Sequence, residues 1–153
     1  MNGSYQAALG ISKRHADRMA WAMAELQPGF PLTAAKLSAL NGMELAVLDQ
    51  FSTRFAKLQD AMGTKLFPAV LELTKEQGSL SAFVDKLNRL EKIGAIPSVE
   101  QWLILREMRN EFSHDYPDDP AIQSAILNKA YSLANDLLGV LSWVEKFAAD
   151  FLV

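Results

Sequence analysis

The sequence predicts an all-α protein, an antiparallel bundle of about five helices, and three observations carry that reading. Apolar residues recur at helical spacing through most of the chain, as in Phe51-Phe55-Leu58-Met62 and Leu133-Leu137-Leu141-Val144. No segment shows the strict alternation of a half-buried strand. Glycine and proline fall in clusters that divide the chain into long segments with short connections.

The elements follow in order. A first helix is expected from about Ser4 to Gln27, stopped by Pro28-Gly29-Phe30-Pro31. Thr33 is a suitable N-cap for a second, long helix reaching about Lys75, weakened or kinked at Asn41-Gly42 and between Met62-Gly63 and Pro68. Ser79 or Ser81 is placed to cap a third helix that ends at Gly94, in the position where glycine terminates helices. Ser98, three residues before Gln101, has capping-box spacing for a fourth helix running through Trp102 to about Ser113. Pro117-Asp118-Asp119-Pro120 breaks the chain before a final helix to about Phe151. Trp21, Trp102 and Trp143 fall in three different helices among apolar neighbours, and all three are expected in the core.

Composition narrows the function classes. The 153 residues are 50% hydrophobic and 22% charged, enough for one domain, 1–153, with a real core and no disulfide or metal staple. Cysteine is absent, which removes disulfides and thiolate metal sites and suits a reducing cytoplasm. Met1-Asn-Gly-Ser-Tyr5 lacks the charged-then-apolar pattern of a signal peptide, and no apolar run approaches the roughly 20 residues that span a bilayer. A soluble, cytoplasmic protein with no membrane partner is expected. The net charge of −3 disfavours binding to nucleic acid through general basicity. Lys13, Arg14 and Arg18 form one short basic patch, read as a solvated helix face, so any nucleic-acid contact is local or made by two chains together.

Chemistry-bearing residues concentrate in the fourth helix, Trp102-Leu-Ile-Leu-Arg106-Glu-Met-Arg109-Asn110-Glu-Phe112-Ser-His114-Asp-Tyr116-Pro. At about 100° per residue, Trp102, Leu105, Met108 and Phe112 make one apolar face. Arg106, Asn110 and His114 follow one another at one-turn spacing on a different face, and Arg109 lies on the flank between the two. Near the helix C-terminus the macrodipole favours protonated His114. These residue types suit phosphodiester cleavage without a metal. Histidine exchanges protons near neutral pH, arginine holds a phosphate and offsets its developing charge, and asparagine orients the histidine or contacts substrate. His15 is the only other histidine, so ligands for a metal hydrolase are too few. No phosphate-binding glycine loop, serine-hydrolase set or Glu-x-x-His pair is present. On spacing alone, an arginine and a histidine at a helix end also read as an ordinary cap. Asp49 and Arg54 are candidates for a structural ion pair near the site, or for solvated surface charges.

Arg109-Asn110-x-x-x-His114 resembles the Arg-x(4–6)-His signature of HEPN domains, which prefer a polar residue directly after the arginine. Tyr116 extends the likeness, because HEPN toxins paired with a minimal nucleotidyltransferase antitoxin carry Arg-x4-His-x-Tyr. The segment from Asp49 through Arg54, Asp60 and Gly63 to Leu66-Phe67-Pro68 is similar to the second helix of these bundles, and helix number and order agree over nearly the whole chain.

The resemblance implies a metal-independent endoribonuclease toxin, of a type II/VII-like toxin–antitoxin pair. It would act as a homodimer with two copies of the motif meeting in one composite site. No cofactor is implied. His114 would move protons as the ribose 2′-OH attacks the phosphate, leaving a 2′,3′-cyclic phosphate. Arg109 would bind the scissile phosphate, with Asn110 supporting both. The partner nucleotidyltransferase would silence the toxin by AMPylation of Tyr116, a residue that could instead simply cap the bundle before the Pro turn. Asp115, Asp118 and Asp119 stand beside the motif and oppose RNA. That acidity fits a second reading, in which the chain is a non-catalytic substrate-binding subunit of a nucleotidyltransferase. A bare helical interaction module is the third.

Overall fold

A computed structural model describes residues 2–76, 82–112 and 118–152, and contains helices and turns with no strand among them. Helix α1 spans Asn2–Leu26 and ends in a single 3-10 turn, Gln27–Gly29, where Pro28 cannot continue the ladder. Helix α2 is only Ala34–Ser38, α3 is Gly42–Ala61, and α4 is Phe67–Leu73. Helices α5 (Phe83–Lys92), α6 (Val99–Glu111) and α7 (Pro120–Ala149) complete the chain.

The expected long second helix is thus corrected. Thr33 does cap, its Oγ1 accepting from Lys36 N at 3.1 Å, but the helix it opens stops after Ser38. Asn41 then starts a new one, accepting from Glu44 N at 2.8 Å while Glu44 Oε1 accepts from Asn41 N at 3.0 Å. This reciprocal pair satisfies two orphan donors, so Asn41 restarts the helix instead of merely kinking it. Downstream the chain stays helical through a π turn, Met62–Leu66, that joins α3 to α4. Pro68 has no N–H to give an i−4 carbonyl, and the wider turn just before it accommodates that loss. Helix α4 ends at Leu73, and two residues on Lys75 takes φ +58° to close the turn, with Glu76 N donating to Leu71 O.

The caps at Gly94 and Ser98 follow the sequence. Gly94 adopts φ +87° and ends α5, and Ser98 Oγ accepts from Gln101 N at 3.1 Å to open α6. Asp119 Oδ1 accepts from Ala121 N at 2.9 Å to open α7. Ser79 and Ser81, the expected caps of α5, lie outside the described residues.

Helices α1 and α3 run antiparallel: Glu25 and Leu26 share a groove with Met43 and Glu44, while Ala8 and Ile11 meet Thr64 and Pro68. One apolar core joins Met19 and Ala22 of α1, the Phe51-Phe55-Leu58-Met62 stripe, Trp102, Leu105 and Met108 of α6, and Leu137, Leu141 and Val144 of α7. Leu133 and Phe112 are half-buried and pack against it, the Phe112 ring edge-on to Phe55 at 5.5 Å. Asn128 of α7 clasps the loop before α2, accepting from Leu32 N at 2.7 Å and donating to Leu32 O at 2.9 Å. No helix is long and apolar enough among the described residues to cross a membrane.

Two of the three tryptophans leave the expected place. Trp102 is buried, but Trp21 is 54% exposed and Trp143 48% exposed. Met19 points into the core, and two residues later the helix has turned roughly 200°, which carries Trp21 to the outside. Trp143 lies over the end of α5, its Nε1 donating to Gly94 O at 2.9 Å.

Candidate functional site

Helix α6 packs with Trp102, Leu105 and Met108 buried and leaves Arg106 and Asn110 exposed, as the phase of the sequence requires. Arg109 is half-buried on the flank, and its direction is set by α3. Its Nε donates to Asp60 Oδ1 at 2.8 Å and its Nη2 to Asp60 Oδ2 at 2.9 Å, a two-pronged clasp across the two helices. Asp60 thereby joins the site, and sequence reasoning had assigned it no role there. The Asp60 hydrogen bonds raise the Arg109 pKa above its ordinary value, so the guanidinium is charged at any working pH. Two of its five N–H groups are engaged, and the other three are available to an anion as far as the described residues are concerned.

Arg106 stands on the same side. Its guanidinium lies 5.1 Å from the centre of the Phe83 ring. Together with Gln59, Asp60, Gly63, Thr64 and Phe83 it lines an open cavity of about 330 Å³. Asn110 is exposed on the last turn of α6. His114 and Tyr116, the proposed proton carrier and modification site, lie outside the described residues, as does Asp115.

Of the two readings of Asp49 and Arg54, the ion pair is not formed, and Asp49 is an exposed surface charge. Five residues of helix separate them by about 140° around α3, so their side chains point to different neighbours. Asp49 lines a groove with Glu111 and Phe112 near the end of α6. Arg54 faces α1 instead, where its Nη1 donates to His15 Nδ1 at 2.9 Å. Arg54 therefore does not support Arg109. Of the three acids expected to oppose RNA, Asp119 caps α7 and Asp118 is exposed.

The His15–Arg54 contact is a second feature that sequence reasoning missed. His15 has its pKa lowered, first by burial and then by Arg54, Lys57, Arg14 and Arg18. Because arginine has no lone pair to offer, His15 Nδ1 accepts and the ring proton sits on Nε2. The only hint in the sequence was the basic character of Lys13-Arg14-His15; the α3 cations are about 40 residues away.

Among the described residues no three His, Asp or Glu side chains gather as metal ligands. No protein-family model, curated protein or solved structure matches the chain.

Proposed function

We propose that this chain is a HEPN-type toxin, a metal-independent endoribonuclease that cleaves RNA at a composite site built from two copies of the Arg109-Asn110…His114 motif in a homodimer. The observation that carries the reading is Arg109 on the last turn of α6, held by Asp60 in a fixed orientation and with only two of its N–H groups engaged among the described residues. In this mechanism Arg109 binds the scissile phosphate and Asn110 supports it. The ribose 2′-oxygen forms a bond to phosphorus while the bond to the 5′-oxygen breaks, and His114 takes or delivers the proton exchanged between them. The products are a 2′,3′-cyclic phosphate and a free 5′-hydroxyl. A minimal nucleotidyltransferase antitoxin silences the toxin by transferring AMP to the Tyr116 hydroxyl. The composite site needs no cofactor, and its setting is the cytoplasm.

Asp60 also favours a second reading. A carboxylate that already neutralises Arg109 is well suited to a non-catalytic subunit that binds substrate for a nucleotidyltransferase.

Conditional expression of the wild type and of His114→Ala, scored for growth and RNA integrity, separates the two. The nuclease reading requires growth arrest and RNA cleavage with the wild type and neither with the variant. Harmless expression of both, as folded protein that co-purifies with the nucleotidyltransferase, establishes the subunit.

A further inference from the structure

Helix α1 carries Arg14, Arg18 and Trp21 at i, i+4 and i+7, so they form one stripe about 10 Å long on its outer surface. All three are exposed, Trp21 by 54%. Across the seam with α3, Arg54 leans on His15 and Lys57 stands exposed close by. Four cations thus surround one histidine, and among the described residues none of the four is bridged by an acid. Their neighbour Lys13 is different: it reaches Glu145 of α7 at 3.1 Å and lies off this surface. Asp17, three residues after Arg14 and four before Trp21, is an exposed acid at the edge of this stripe, which the four cations still leave positive.

The arrangement is costly for the isolated chain. Like charges are crowded together, and the Arg54 Nε is buried with no hydrogen-bond partner among the described residues. An arginine kept against a neutral imidazole, rather than against a carboxylate, leaves positive charge that an external anion can offset. Lys57 lies three residues before Asp60 on α3, adjacent on the helix surface, so this basic face continues into the Arg109–Asp60 clasp.

We infer that the α1–α3 face formed by Trp21, Arg14, Arg18 and Lys57 around the His15–Arg54 pair is a binding track for single-stranded RNA. The cations take successive backbone phosphates and Trp21 stacks a base. Exposed aromatic and cationic groups in one row are the combination that holds single strands without reading their sequence, because every base has a stacking face and every nucleotide a phosphate. A duplex, whose bases are already stacked, gains little from Trp21. The inference rests on the ribonuclease reading for its choice of RNA over other polyanions, and it extends the site from the scissile phosphate to the strand on one side of it. It also answers the chain's net acidity, since the binding charge is local.

The test is fluorescence anisotropy of a labelled single-stranded oligouridylate with full-length protein carrying His114→Ala, so that binding is read without cleavage. Arg14→Gln, Arg18→Gln and Lys57→Gln combined should weaken binding by about tenfold or more and flatten its dependence on salt. Trp21→Ala should weaken it about tenfold, while Trp143→Ala, the other exposed tryptophan, should not. All these positions are exposed, and circular dichroism checks that each variant is folded. No measurable binding at low salt, variants that bind as tightly as the parent, equal effects of Trp21→Ala and Trp143→Ala, or equal affinity for duplex RNA would each overturn the inference. Binding lost in the variants from a protein that never cuts RNA keeps the track and removes the nuclease. Cleavage by a His114-intact protein that persists unchanged in the combined Arg14/Arg18/Lys57 variant and in Trp21→Ala does the reverse.

Discussion

At the scale of single residues, charge and tautomer decide the behaviour of the α1–α3 seam. His15 is held neutral by burial and by four nearby cations, so its folded pKa lies below the ordinary value of about 6.5. Between the two values the unfolded chain binds the proton and the folded chain does not, and stability therefore rises with pH across that window. The stabilisation is complete above about pH 6.5 and is lost as pH falls towards the folded pKa. His15→Gln keeps an acceptor for Arg54 but cannot titrate. Urea midpoints measured from pH 7.5 down to 5.5 should fall more steeply for the parent than for this variant, and parallel curves would show that His15 does not carry the effect. The residue scale is also where reading the sequence failed most plainly. Lys13, Arg14 and Arg18 look alike in a row, yet among the described residues one is paired across the bundle and the other two are not.

Elements meet the site through the α3–α6 crossing. Arg109 and Asp60 are 31% and 46% exposed, so solvent screens their attraction and the clasp contributes at most about 1 kcal/mol to folding. Its larger effect is orientation, because a two-pronged carboxylate fixes the guanidinium plane. Asp60→Asn should leave the melting temperature nearly unchanged and RNA affinity equal or higher, since a negative charge is removed. It should lower the cleavage rate severalfold, because Arg109 is no longer held. A variant that cuts at the parental rate would show that Asp60 serves the fold alone. Most element boundaries were legible, since Thr33, Gly94 and Ser98 are local signals that act through neighbouring backbone groups. The restart at Asn41 was half legible. Asn-Gly marks a weak point, but only Glu44 three residues on makes it a cap.

On the scale of the whole molecule, one arginine and one histidine make a thin active site, and the proposed function needs two copies of it. Light scattering at micromolar concentration should give twice the mass of the 153-residue chain. A monomer would leave the composite site unbuilt and favour the binding-subunit reading.

The sequence by itself determined the helical class, the core stripes on α3, α6 and α7, most caps, and the place of Arg109 and Asn110 on α6. All of these follow from periodicity and from contacts within a few residues, where backbone geometry dictates who meets whom. The tertiary structure alone decided that Arg109 turns to Asp60, that Arg54 leaves Asp49 for His15, and that Trp21 and Trp143 face outward. A long side chain on a helix flank has several reachable neighbours, and only the packing of a second helix selects one of them.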